Sequence, residues 1–269
     1  MRLSLPLIAS LLVIAPAQFA AAEEKPAIAI KTRAIEASVT IDAALKVYPG
    51  LYEDLLAEGQ KQVAKWRTDA DKEMRENPDL FKDGRKWTTE RSYSQRSVVG
   101  RYVSILRDDG TFEGGAHPNS HADTILWDIE TKKRISVRPF FKETADNGPT
   151  MTALARLARV AVAVQKLERN ENYGEKQKIA PEKFAAENQD LQTSIEPKLL
   201  KLGPVTLAPS SIAGKSSGLT FHYSPYAVGA YAEGPYTAFV PWTTFRQFLT
   251  LEGEAIFGGE RPKKDADDY

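Results

Sequence analysis

"FEGGAHPNSHADTILW", Phe112–Trp127, admits two readings with different architectures. His117 and His121 stand four residues apart with Asp123 beside them, the spacing of a helical metal pair. Such a helix would have to start at Pro118 and continue through His121, yet the chain runs directly into Thr124-Ile125-Leu126-Trp127, a β-prone series. No HExxH is present, and with no cysteine in the chain no thiolate can complete a zinc site. The Gly114-Gly115 pair is therefore read as a turn device feeding a strand, with His117 fastening the turn by a hydrogen bond. No metal and no cofactor are expected.

On either side, the apolar spacing alternates between strand and helix periods. Ala27 to Ile41 is expected to be extended. Leu51, Leu55, Val63 and Trp66 recur at helical spacing and predict an amphipathic helix over about 49–75, which Asn77-Pro78 stops. Residues 78–90 read as a loop and Arg91 to Leu106 as a strand. Asp109-Gly110 carries a hairpin signal, with Thr111 to Gly115 as the return strand. Thr124–Ile129 and Arg134–Arg138 form a further pair. Helices are expected over 149–168 and 182–199, strands over 205–207, 219–223 and 237–240, and a closing helix over 243–249. The result is an α+β fold with a mostly antiparallel sheet, packed helices and two strand-plus-helix halves.

The N-terminus sets the compartment. Arg2, the apolar run Leu3 to Ala15 and Ala20-Ala21-Ala22 have the form of a cleavable secretory signal peptide over residues 1–22. Export to the periplasm is expected, with no membrane span after cleavage. The remaining roughly 245 residues suffice for one large domain or two small ones. They are divided here into an N-terminal half, 23–140, a C-terminal half, 141–250, and a polar tail, 251–269. Thirty-six basic residues balance 36 acidic ones, so no global field attracts nucleic acid or an anionic membrane.

Catalytic patterns fail on context. "GKSSG", Gly214–Gly218, fits the serine nucleophile pattern with Ser216 at its centre, but that elbow requires strand, turn and then helix. The following Leu219-Thr220-Phe221-His222-Tyr223 alternates as a strand. The same stretch mimics the end of a phosphate loop, whose opening glycine would be Pro209. Asp108-Asp109 is read as a turn pair. An activity is not expected. The unusual composition lies in "FHYSPYAVGAYAEGPYTAFVPW", Phe221–Trp242. Tyrosine brings contact area at low rotamer cost, so Pro225, Tyr226, Tyr231 and Tyr236 are the candidate partner-binding residues, with the turn of Gly114, Gly115 and His117 beside them.

"GGAHPNSHADTILWDIETKKRISVRPFF" and "LTFHYSPYAVGAYAEGPYTAFVPWTTFRQFL" together resemble the two signatures of the RsiV-like domain family. The likeness covers roughly Arg91 to Leu249 and extends more weakly to the helix of Tyr48 to Arg75. It implies an α+β envelope-facing module of the kind found outside the cytoplasm in the RsiV anti-sigma factor, where it binds lysozyme, and as an accessory domain of the PdaC peptidoglycan deacetylase. With no sigma-binding segment, no membrane helix and no deacetylase domain read in the sequence, neither role is expected to transfer. Lys132 stands where the family turn has glycine, so a different loop form is expected there. The expected function is an exported, non-enzymatic module of the bacterial envelope that binds a protein or a peptidoglycan-related ligand. The alternative is a lysozyme-type inhibitor or a cell-wall hydrolase.

Overall fold

The computed structural model describes residues 25–169 and 179–267. The expected signal peptide lies outside them. The fold is α+β, with a six-stranded and a three-stranded sheet and helices packed on both.

The first sheet follows chain order, β1 (Ile28–Lys31), β2 (Ile35–Ile41), β3 (Trp87–Val99), β4 (Tyr102–Phe112), β5 (Asn119–Asp128) and β6 (Lys133–Ile135). The extended stretch expected over 27–41 is thus two antiparallel strands, since Thr32 Oγ1 accepts from the amides of Ala34 and Ile35 and turns the chain. Strands β2 and β3 run parallel, a join that needs a crossover, and α1 (Pro49–Glu76) supplies it. Its buried stripe of Leu51, Leu55, Gly59, Val63, Trp66 and Ala70 lies on the sheet. A Cβ at Gly59 would stand 3.0 Å from Val39 Cγ1, so glycine lets helix and strand approach.

The hairpin signal at Asp109-Gly110 is overturned. Both residues lie inside β4, Asp109 opposite Arg91 and Gly110 opposite Glu90. The β3–β4 turn is at Gly100, which takes φ +55°, and Arg101. The Arg91 guanidinium donates to both Asp109 oxygens, so a tertiary ion pair outweighs the local turn preference. At the β5–β6 turn Lys132 takes φ +53°, the left-handed conformation that glycine favours. The loop therefore keeps a glycine-like backbone and carries its strain. Lys132→Gly is expected to raise stability by about 1 kcal/mol, read as a higher urea midpoint at unchanged slope. A lowered midpoint would show the lysine side chain to be worth more than the strain.

The second sheet is antiparallel, β7 (Val205–Leu207), β8 (Gly218–Tyr223) and β9 (Tyr236–Pro241). It is stitched to the first through hydroxyls. The Leu207 amide donates to Ser104 Oγ, Ser97 Oγ donates to the Leu207 carbonyl, and the Val205 amide donates to Thr124 Oγ1. Helix α2 (Pro149–Arg169) packs on β9 with Met151, Leu154, Ala155, Ala158 and Val162 buried, the alanines permitting close approach. The helix expected over 182–199 is broken into α3 (Pro181–Glu187) and α4 (Gln189–Ser194), because the Asn188 side chain accepts from the Leu191 amide and starts a new helix.

Two cores result. One lies between α1 and the first sheet. The other lies around α2 and the second sheet, and it also takes Val99, Tyr102, Leu126 and Phe140 from before residue 141. The segment expected as a polar tail from 251 is ordered through 267. Helix α5 (Leu251–Ile256) is capped by Thr250, Phe257 enters the second core, and α6 (Lys263–Asp267) buries Asp265 beside Arg96 and Arg261. Apolar residues at 256 and 257 outweigh the polar composition around them. The closing helix expected over 243–249 is instead two 3-10 turns, Trp242–Thr244 and Arg246–Phe248.

Candidate binding surface

The loop from β8 to β9 begins with a tight turn in which the Ala227 amide donates to the Ser224 carbonyl at 3.0 Å. Pro225 suits its second position. Tyr226 occupies the third with φ +70°, a place that ordinarily selects glycine. Holding a bulky residue in left-handed backbone costs about 1 kcal/mol. Tyr226 nevertheless remains 62% exposed, so burial of its ring does not offset that cost.

The other end of the loop is closed by Glu233. Its carboxylate accepts from the Ala230 amide at 2.9 Å, from the Tyr236 hydroxyl at 2.8 Å and from the buried Lys166 ammonium. Burial works against the charged form of Glu233, but these donors together hold its carboxyl below the usual carboxylate range. A Cβ on Gly229 would meet Lys166 Nζ at 2.5 Å and Glu233 Oε1 at 2.6 Å, which reserves that position for glycine. Tyr236 belongs to this clasp. It is 2% exposed and lies under Lys166 and Arg169, so the expectation that places it on the contact surface is corrected. Its position in β9, on the face toward α2, buries the ring.

The β4–β5 turn meets this loop. Gly114 takes φ +88°, which lets the chain reverse, while Gly115 has no such constraint and open space around it. The turn lies within the first sheet, and His117 reaches from it to the second half of the chain. The imidazole stacks on Tyr231, centroids 3.7 Å apart and planes at 19°, and Tyr226 stands 5.3 Å from Tyr231. His117 Nδ1 lies 3.0 Å from the Pro118 carbonyl, which can only accept, so this nitrogen carries the proton. Nε2 lies 3.3 Å from the Tyr226 hydroxyl. Tyr231 donates its own hydroxyl to the Pro118 carbonyl at 2.8 Å. Three rings from two separate loops thus form one ridge.

The other singled-out residues stand apart. Ser216 is buried and its hydroxyl is held between the carbonyls of Ala208 and Gly218, while His222 is bonded to Thr206 Oγ1 at 2.8 Å. Serine and imidazole are not paired. His121 is exposed on β5, opposite Asp109 in register, and makes no part of the His117–Tyr231 stack, although it lines a cavity together with Tyr226. Among the described residues no group of three His, Cys, Asp or Glu side chains could hold a metal. None of their helices is long and apolar enough to cross a membrane. The Glu233 clasp was missed in the sequence reading. Its signal was available, since Glu233 is the only Asp, Glu, Lys or Arg in Phe221–Trp242.

The fold and this surface define a two-sheet α+β module with an exposed aromatic ridge. Residues 140–243 match the family described as a protein of unknown function, DUF3298. Among solved structures it is similar to a DUF3298 family member from Bacteroides fragilis, at 14% identity and TM-score 0.46, over 76% of this chain and 71% of that one. It is also similar to a DUF3298 family protein from Pseudomonas aeruginosa, at 12% identity and TM-score 0.43, over 83% of this chain and 87% of the other. No curated protein matches.

Proposed function

We propose that this chain is an exported, non-enzymatic binding module of the bacterial envelope, and that its partner sits on the ridge of His117, Tyr226 and Tyr231. The observation that carries the reading is Tyr226, an aromatic residue kept exposed at a strained turn position while a half-buried ion pair braces the loop behind it. Strain retained at an exposed site is a recurring mark of function, and tyrosine is an efficient contact residue. The separation of Ser216 from His222 supports binding over catalysis.

The test is capture from envelope extracts on immobilised protein, wild type against Tyr226→Gly and Tyr231→Ala. Tyr226→Gly relieves backbone strain, so the fold survives. Both variants are expected to lose the captured partner by tenfold or more, roughly the cost of truncating one central aromatic anchor. Equal recovery by all three proteins would remove the ridge from the function.

A further inference from the structure

We propose that the ligand of this ridge is a linear, uncharged oligosaccharide lying along a track of several subsites, an inference that rests on the binding role of the ridge. Three cavities adjoin it in series. The first, of about 640 Å³, lies on the face of the first sheet turned away from α1 and includes Ser38, Thr88, Phe112 and Pro118. Pro118 leads to the ridge, because its carbonyl is the acceptor for Tyr231. On the far side Tyr226 walls the second cavity, of about 430 Å³, with Ser120, Ser194, Ser224 and Leu200. Leu200, Gly203 and Pro204 then pass into the third, of about 330 Å³, which adds Thr124 and Ser136. Leu200 is 92% exposed at that junction, on a 3-10 turn whose neighbours are anchored.

The chemistry of the lining selects the ligand. Hydroxyl side chains recur in all three cavities, and rings or aliphatic side chains stand between them. Charge nearly cancels. Lys31 pairs with Glu36, Asp123 pairs with Arg107, and Glu90 in the first cavity is balanced by Lys201 in the second. Two histidines also line the second cavity, of which His222 is buried and kept neutral, its pKa lowered to about 3. A polyanion or polycation finds no complementary field here. A pyranose chain presents what the track can use, apolar C–H faces for aromatic rings and hydroxyls for serine and threonine. A run of cavities longer than one sugar calls for a polymer.

Calorimetric titration of the full chain with β-1,4-linked N-acetylglucosamine and glucose oligomers, from disaccharide to hexasaccharide, tests this. Binding of either series supports it if affinity climbs by about tenfold or more with length, as linked subsites require. Tyr226→Gly should weaken every length. Leu200→Ser and Phe112→Ser, both at exposed positions, should weaken the hexasaccharide several-fold and leave the disaccharide unchanged. Length-independent affinity, or tighter binding of a hexagalacturonate than of the neutral hexamers, overturns the proposal. No saccharide binding alongside Tyr226-dependent capture of a protein also overturns it and leaves the ridge as a protein contact. Loss of both removes the ridge itself.

Discussion

Glu58→Ala is expected to lower the unfolding free energy by about 2–3 kcal/mol, less than the roughly 3–5 kcal/mol for breaking a fully buried ion pair from one side, because Glu58 is 21% and Arg134 38% exposed. Glu58 projects from α1 onto the sheet and receives hydrogen bonds from Arg91, Arg107 and Arg134. Each arginine has a second carboxylate, Asp109, Asp123 and Asp54 respectively. Arg91 is only 4% exposed and its guanidinium lies over Trp66 and Tyr93. Burial raises the free energy of the Glu58 carboxylate, but Arg134, Arg107 and Arg91 outweigh this and hold its carboxyl below the usual range. The alanine variant leaves each of the three guanidiniums with one carboxylate in place of two, and of these Arg91 is the one held at 4% exposure. Asp54→Ala serves as contrast. Its pair with Arg134 is more than one-third exposed at both ends, so about 1 kcal/mol or less is expected. Urea denaturation distinguishes the two, and a Glu58→Ala loss below that of Asp54→Ala would show the network to be ornamental.

Acidification from pH 6.5 to pH 4.5 is expected to cost a further 2–3 kcal/mol through His222 alone, at about 1.4 kcal/mol per pH unit. The imidazole is 4% exposed between the two sheets, and its pKa is lowered to about 3, by burial first and then by Arg96 and Arg261. The folded state therefore keeps His222 neutral, whereas the unfolded chain takes up a proton below about pH 6.5. Stability from this group is complete above that value and is lost as pH falls toward the folded pKa. Glu58 acts in the same direction but at lower pH, since its stabilisation fades only as the unfolded carboxylate begins to protonate. His222→Gln should flatten the stability profile between pH 6.5 and 5 and leave the steeper carboxylate-driven fall below it. An unchanged profile between pH 6.5 and 5 would mean that the imidazole charges freely in the folded protein.

Elements with a long, repeated apolar period were legible in advance. The spacing of Leu51, Leu55, Val63 and Trp66 is enough to place α1, because a helix of seven or eight turns averages over local exceptions. The alternation of Leu219, Phe221 and Tyr223 likewise places β8 and removes Ser216 from any nucleophile elbow. Short-range signals failed where a distant residue competed. Asp109-Gly110 has the composition of a turn, yet Arg91 and Glu90 on the neighbouring strand keep it extended. Residues 251–267 have the composition of a tail, yet Phe257 finds the second core and Asp265 finds Arg96 and Arg261.

The ridge divides along the same line. Composition alone marked the tyrosine-rich loop and the Gly-Gly-Ala-His turn, because glycine, proline and tyrosine act through intrinsic backbone and side-chain properties that need no partner. The stacking of His117 on Tyr231 joins residues 114 positions apart, and the withdrawal of Tyr236 into the Lys166–Glu233 clasp depends on α2 lying against β9. Contacts between elements remote in the chain follow from how sheets and helices pack, and periodicity carries no information about which faces meet.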